Sequence, residues 1–102
     1  MLKHCVFLNF KSEVTESKQF ELFKSLLSLK QKIDGLVGFD YGNNLDFEQK
    51  SSEYNSGFIA SFDSHKALLE NNEHPEHILL GSKLVSMCKG GHQGIIVFDI
   101  EI

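Results

Sequence analysis

Three histidines are the residues of this sequence whose type and spacing could do chemistry. His74 and His77 flank Pro75, the single proline among the 102 residues, and His4 lies far upstream. The residue before a proline is pushed out of the helical region, whereas proline itself fits the first turn of a helix. The sequence therefore predicts that one helix ends and another begins at this point, with two imidazoles at the break.

His4 and His77 are the candidate catalytic pair. His4 falls on the apolar face of a predicted strand, and His77 begins an apolar helical stripe. Burial in an apolar cleft lowers the pKa of an imidazole, which then acts as a neutral base near neutral pH. The alternative interpretation is a pair that supports the fold, with its ring nitrogens satisfied by the backbone or by each other.

A metal site built from His4, His74 and His77 is a weaker alternative. The spacing of His74 and His77 occurs in helical metal sites, but Pro75 lies between them and breaks the helix. No carboxylate is placed as a further ligand. We therefore expect neither a metal nor a cofactor, and we interpret His74 as a surface residue that terminates a helix.

Composition excludes several classes of function. Ten basic and fourteen acidic side chains give a net charge of −4, and no basic stripe of the kind that nucleic acids or anionic membranes require is present. No apolar run approaches the ~20 residues of a membrane span. Cys5 and Cys88 show no motif spacing, which is typical of buried, reduced thiols. We expect a cytoplasmic protein of one domain, spanning residues 1–102.

The periodicity of the apolar residues defines the elements that must position the histidines. Alternation predicts strands, and spacings of three and four predict helices. The predicted strands cover 2–10, 36–45, 54–62 and a segment from 95 onward, and the predicted helices cover 16–32, 65–72 and 75–88. The order β-α-β-β-α-β, with the second helix broken, predicts an α+β ferredoxin-like fold in which helices cover one side of a four-stranded antiparallel sheet.

This arrangement predicts a cleft between the sheet and the helices. Apolar side chains from both layers would meet there beside the two histidines, which favours a small apolar or aromatic ligand. The predicted lining is His4, Val6, Leu8, Phe23, Leu26, Phe58, His77 and Leu84.

The other face of the sheet predicts a homodimer. It carries Cys5, Phe7, Ile96 and Phe98, which would leave a large apolar patch in contact with water. At roughly 25 cal/mol per Å², covering such a patch is worth several kcal/mol, and a second copy packed sheet against sheet is the simplest cover.

Six fragments, taken in order along the chain, resemble the stress-responsive α/β-barrel domain family, often called Dabb. They are Lys3-His4, Phe10-Lys11, Tyr41-Gly42, Phe62-Asp63-Ser64, His74-Pro75-Glu76-His77 and Val97-Phe98-Asp99. The resemblance implies a dimeric barrel in which two four-stranded sheets are ringed by helices. It implies little about function, because members of this family range from stress-induced proteins to a polyketide cyclase.

The resemblance to the polyketide cyclase extends to two residues and fails at three. His4 and His77 match its retained histidines, whereas Leu26, Asn71 and Ser56 stand where it carries two tyrosines and a third histidine. We therefore predict a stress-responsive dimer that binds a small molecule. One alternative is a cofactor-independent cyclase, monooxygenase or decarboxylase-like enzyme using His4 and His77, and another is a structural protein without a functional pocket.

Overall fold

Four strands form one antiparallel sheet in a computed structural model that describes all residues from 1 to 102. The strands are β1 (Leu2–Leu8), β2 (Leu36–Asn43), β3 (Ser56–Phe62) and β4 (Ile95–Glu101). Their order across the sheet is β2-β3-β1-β4, which makes β1 a central strand with β3 on one side and β4 on the other. The predicted ferredoxin-like α+β fold is confirmed.

Three helices, α1 (Glu16–Ser28), α2 (His65–Glu73) and α3 (Pro75–Met87), cover one face of this sheet. Side chains cap the first two helices: Thr15 Oγ1 accepts a hydrogen bond from the Lys18 amide, and Ser64 Oγ accepts one from the Ala67 amide. A short 3-10 turn, Leu29–Gln31, follows α1, so the first helix ends earlier than predicted. None of the helices is both long enough and apolar enough to cross a membrane.

Alternation along the strands divides the sheet into a helix-covered face and an open face. On the helix-covered face Leu2, Val6 and Leu8 are buried in a core that also contains Phe23 of α1. The open face carries Phe7 of β1 and Phe98 of β4, both exposed. Cys5 is buried although its side chain belongs to the open face, and Cys88 is buried too; both are free thiols.

A β-bulge interrupts the alternation of β2. Strict alternation over the predicted strand 36–45 would put Val37 on the same face as Phe39 and Tyr41, but the register between β2 and β3 shifts between Leu36 and Gly38. The extra residue sets Leu36 into the core and leaves Val37 46% exposed. Beyond the bulge the alternation is as predicted, and Phe39 and Tyr41 pack against the core.

Several predicted boundaries are wrong by one or two residues where the chain leaves the regular ladder. β1 ends at Leu8, and Phe10 forms an isolated bridge with Cys88 instead of continuing the strand. Cys88 is therefore extended and lies outside α3, since a residue that pairs with Phe10 cannot remain helical. The glycine-rich segment Gly91–Gly94 forms a 3-10 turn before β4.

We predict that Gly35→Ala destabilises the protein by about 1–3 kcal/mol. Gly35 has a φ of +86°, and an added Cβ would lie 2.6 Å from the Cβ of Ala67, at the start of α2. Gly81→Ala in α3 is the matched control, because an added Cβ there meets no atom within 4 Å. Urea denaturation should show a loss for Gly35→Ala and no loss for Gly81→Ala; equal stability of the two variants would contradict the prediction.

Candidate functional site

His4 lies in the middle of β1, where strand register determines its neighbours. It faces Ala60 on β3 and Asp99 on β4, so all three side chains point to the helix-covered face. His4 Nδ1 lies 2.5 Å from Asp99 Oδ1. Because an ionised carboxylate only accepts hydrogen bonds, Nδ1–H of His4 donates to it. The carboxylate thus fixes the ring orientation, and in the tautomer with the proton on Nδ1 the Nε2 atom carries the lone pair.

Asp99 is the site residue that the sequence analysis missed. Its side chain is 48% exposed, against 15% for His4. β4 is an edge strand, and even Val97 on its helix-covered face is 47% exposed, so the helices cover this strand only in part. The pairing of His4 with Asp99 depends on the register between β1 and β4, which one sequence does not specify.

The break between α2 and α3 places His77 and gives His74 a defined role. Pro75 occupies the first turn of α3, and His74 has an extended conformation with a ψ of 129°. The Nδ1 atom of His74 accepts a hydrogen bond of 3.2 Å from the Glu76 amide, so the imidazole caps α3. The prediction that His74 terminates a helix is correct. The same ring also begins the next helix.

An ion pair ties the start of α3 to the end of the first helical segment. Lys32 Nζ lies 2.6 and 2.7 Å from the two carboxylate oxygens of Glu76. This pairing lowers the pKa of Glu76. Because both side chains are nearly half exposed, solvent screens the pair, and it orients the corner without holding it firmly.

His4, Asn71 and His77 converge on a small cavity between the sheet and the helices. Asn71 reaches it from α2 and is 5% exposed. The remaining lining residues are apolar: Leu26, Leu29, Leu36, Phe39, Phe58 and Ala60. The cavity measures about 10 Å³, close to the space that one water molecule needs.

Burial is the main cause of the lowered pKa of His77. The positive charges that His4 and His74 can carry lower the pKa further. His77 is therefore neutral near neutral pH, as the sequence analysis expected of an imidazole in an apolar cleft. A neutral ring offers the cavity one donor and one acceptor.

The structure divides the predicted ligand-contacting residues into two groups. Leu26 and Phe58 line the cavity beside the two histidines. The other four pack within the hydrophobic core and do not line it: Val6, Leu8, Phe23 and Leu84. The predicted pocket assumed an open cleft, whereas here helix and sheet side chains interdigitate and leave space only near His4 and His77.

The three positions at which the sequence departs from the cyclase pattern also separate. Leu26 and Asn71 line the cavity, so both departures alter its wall. Ser56 is buried elsewhere, and its hydroxyl lies 3.4 Å from Gln19 Oε1. The change at Ser56 is therefore part of the core of the fold.

Other reactive groups are not arranged for chemistry. No group of three or more His, Cys, Asp or Glu side chains is positioned to hold a metal ion. Burial raises the pKa of the Cys88 thiol to about 11, which keeps it protonated and unreactive. The chemistry of the site thus depends on two imidazoles, one amide and one carboxylate.

A known protein family matches almost the whole of this chain. The family model described as "Stress responsive A/B Barrel Domain" matches residues 2–102, nearly the whole chain. The chain belongs to the stress-responsive A/B barrel domain family. The family suggested by the His-Pro-Glu-His segment and the accompanying fragments is thereby confirmed.

Two known proteins are similar to this chain over almost its full length. The stress-response A/B barrel domain-containing protein HS1 of Arabidopsis thaliana is 30% identical over 100 residues, covering 98% of this chain and 88% of HS1. Olivetolic acid cyclase of Cannabis sativa is 28% identical over 98 residues, covering 96% of this chain and 93% of the cyclase.

Solved structures confirm the fold of the family. A dimeric ferredoxin-like protein of unknown function from Jannaschia sp. CCS1 matches with a TM-score of 0.93 and 38% identity, covering 99% of this chain and 98% of its own. Hydroxynitrile lyase from Passiflora edulis matches with a TM-score of 0.84 but only 16% identity, covering 99% and 92%, so that likeness concerns the fold alone.

The lowered pKa of His77 predicts how stability changes with pH. Since the pKa in the folded state lies below the ordinary value of 6.5, the unfolded chain binds the proton first as the pH falls. Well above pH 6.5, we expect His77 to cause no change of stability with pH. Below pH 6.5, we expect the free energy of unfolding to decrease as the pH falls. Urea denaturation between neutral and mildly acidic pH measures this slope.

The matched variants are His77→Asn and His92→Asn. His77→Asn should flatten the decrease in stability on acidification, because the ring that resists protonation is gone. His92 is exposed near Gly91–Gly94, and its replacement removes an imidazole from outside the cavity. If His77→Asn kept the full wild-type slope, His77 would not be the group responsible.

Proposed function

We propose that this protein binds a small apolar or aromatic molecule between the sheet and the helices, with His4 and His77 contacting its polar end. The observation that carries the proposal is the convergence of His4, Asn71 and His77 on a cavity whose other walls are apolar. Asn71 is 5% exposed and lines this cavity, so its amide offers hydrogen-bond donors and an acceptor there. A hydroxyl or carbonyl group of a ligand would pair with that amide.

The aromatic walls favour a flat ligand. The rings of Phe39 and Phe58 stack with centroids 5.0 Å apart and an interplanar angle of 23°. The His4 ring lies 6.4 Å from Phe58, tilted by 55°. A further ring would extend this aromatic cluster, and each such contact is worth about 0.5–1.5 kcal/mol beyond the area that it buries.

Ligand binding requires the α2–α3 corner to move away from the sheet. The cavity of about 10 Å³ cannot hold an aromatic ring, and the corner contributes both Asn71 and His77 to its wall. The corner is held by the Lys32–Glu76 pair, which is exposed and weak. We therefore propose that the closed cavity is the ligand-free state and that the corner opens to admit the molecule.

We also propose that the protein acts as a homodimer. Phe98 is 54% exposed and Ile100 is 49% exposed on the open face of the sheet. Leaving such apolar side chains in water is unfavourable by about 25 cal/mol per Å². The related protein from Jannaschia, 38% identical to this chain, is described as dimeric. A second copy that covers the open face is consistent with both observations.

A matched pair of substitutions on α1 tests the ligand site. Leu26 lines the cavity and Leu22 does not, although both are buried. We expect Leu26→Ala and Leu22→Ala each to destabilise the protein by about 2–5 kcal/mol. A panel of small phenols should then stabilise Leu26→Ala more than wild type, by up to about 2.7 kcal/mol at a hundredfold excess over Kd. The same phenols should stabilise Leu22→Ala about as much as wild type.

Thermal unfolding with and without each phenol measures these shifts. His77→Ala should reduce the shift while the protein stays folded. If Ala replacements on α1 unfold the chain, Leu26→Val and Leu22→Val provide the same comparison with smaller cavities. Equal unfolding-temperature shifts for the variants at positions 26 and 22, or no shift with any phenol, would contradict the ligand site. Either result would favour the structural alternative, which the small volume of the cavity supports.

Acid–base catalysis in the same cavity is the second candidate function. The supporting observation is the bond between His4 and Asp99, since a carboxylate that orients an imidazole is a common feature of general bases. The relative from Cannabis sativa is named as a cyclase, and it shares only 28% identity with this chain. Leu26 and Asn71 stand in the cavity wall where the cyclase pattern has tyrosines, so we propose proton transfer without assigning a specific substrate.

We predict that, if this second function holds, the protein catalyses proton exchange at the central carbon of benzoylacetone. The neutral His4 imidazole would remove a proton from the carbon between the two carbonyl groups and return one from solvent. His4→Gln should reduce the exchange rate by about 10²–10⁴-fold. Asp99→Asn should also reduce it, because the ring would lose its orientation.

Deuterium exchange followed by NMR measures this rate in wild type and variants. His65→Gln is the control, because His65 is exposed and contacts Glu101 instead of the cavity. An exchange rate that His4→Gln and His65→Gln affect equally would rule out proton transfer by His4, and the ligand-binding proposal would remain to be judged by its own test.

A further inference from the structure

We propose that the open face of the sheet carries a second binding site, for a flat phenol-like aromatic molecule, in a chamber that a second copy of the chain closes. This inference rests on the homodimer proposed above. It does not involve His4 or His77, because both lie on the helix-covered side of the sheet.

A wide cavity lies on the open face, beside the loop that joins β2 and β3. Its volume is about 590 Å³, within the range of roughly 300–1,000 Å³ typical of small-molecule sites. The cavity between sheet and helices holds about 10 Å³ by comparison. The apolar part of the lining on the open face consists of Phe7, Ile59, Ile96 and Phe98.

Two glycines create the depression. Gly42 of β2 lies opposite Gly57 of β3, which in turn lies opposite Phe7 of β1. A Cβ added at Gly42 would meet no atom within 4 Å, so the space above this position is empty. A Cβ added at Gly57 would lie 2.6 Å from the carbonyl oxygen of Val6, so the close approach of the strands requires glycine there.

The rim of the cavity is polar and ordered. Asp46 Oδ1 accepts hydrogen bonds from the amides of Lys50 and Ser51 at 2.9 and 3.0 Å, and from Ser51 Oγ at 3.0 Å. These bonds fix the loop that presents the Lys50 side chain to the cavity, and Asp40 of β2 lies in the same lining. Neither Lys50 nor Asp40 forms an ion pair within 4 Å.

These polar groups define the chemistry of the ligand. A phenol hydroxyl can donate a hydrogen bond to the Asp40 carboxylate and accept one from the Lys50 ammonium, and its ring can pack on the apolar floor. A carboxylate group on the ligand would be repelled by the carboxylate of Asp40. A neutral aromatic molecule with one hydroxyl group therefore fits the lining.

The shape of the open face indicates that the dimer encloses this volume. Phe7 and Phe98 pack against each other with ring centroids 6.2 Å apart, and both form walls of the cavity in their own copy. A two-fold axis would bring the concave faces of the two copies together. Phe7 and Phe98 of one copy would then meet the same residues of its partner, and the two depressions would form one chamber. The interior of an eight-stranded barrel is either filled by side chains or holds one small ligand, and the glycines at positions 42 and 57 leave it unfilled here.

The test combines a mass measurement with NMR of the full-length chain. Sedimentation gives the mass first, and we expect twice the chain mass of 11.6 kDa. β-Naphthol is then titrated into protein labelled at the isoleucine methyl groups. We expect saturable shifts at Ile59 and Ile96, which line the cavity, and none at Ile33 in the core or Ile78 on α3.

Two leucine substitutions separate filling of the cavity from the addition of an apolar side chain. Gly42→Leu fills the depression, whereas Gly81→Leu adds the same side chain on α3, where the Cβ also meets no atom within 4 Å. We expect Gly42→Leu to weaken β-naphthol binding by about tenfold or more, which corresponds to about 1.4 kcal/mol. Gly81→Leu should keep the wild-type affinity, measured from the shifts at Ile59 and Ile96.

Each other outcome overturns the inference in a recognisable way. A monomeric mass removes the shared chamber and contradicts the homodimer as well. A dimer with unshifted Ile59 and Ile96, and with methyl contacts between the two copies, means that partner side chains fill the space. Binding that His77→Ala abolishes and Gly42→Leu does not affect assigns β-naphthol to the cavity between sheet and helices. The proposed function would then stand and this second site would fail.

Discussion

The pairing of β1 with strands on both sides is the constraint on which the rest of the structure depends. Its register places His4 between Ala60 and Asp99, and its alternation sends Val6 and Leu8 into the core. Because the period of a strand is two, a slip of one residue would move every one of these side chains to the open face. The burial of one face therefore fixes the register, and the register creates the contact between His4 and Asp99.

The break at Pro75 completes the site from the helical layer. His74 has an extended backbone, so α2 ends there, and its ring caps the first turn of α3. The new helix direction brings His77 to the cavity that Asn71 reaches from α2. Interdigitation of the two layers leaves little empty space, which is the ordinary condition of a well-packed core and explains why this cavity is closed.

The two faces of the sheet differ in how they are covered, and this difference separates the two proposed sites. On the helix-covered face, large side chains from both layers fill the space, and only a small, mostly apolar cavity remains near His4 and His77. On the open face, glycines at positions 42 and 57 leave a depression beside Phe7 and Phe98. Cys5 lies buried on this face between Ile59 and Phe98, its opposite neighbours on the flanking strands.

Local patterns in the sequence determined the element types, the caps at Thr15 and Ser64 and the helix break at Pro75. Each depends on residues close together in the chain, and together they gave the order of a ferredoxin-like fold and pointed to His4 and His77. Tertiary structure decided what depends on distant residues: the bulge at Val37, the pairing of Asp99 with His4, and the burial of Phe23 away from the cavity. Strand register and side-chain packing are set between segments far apart in sequence, so no local period could specify them.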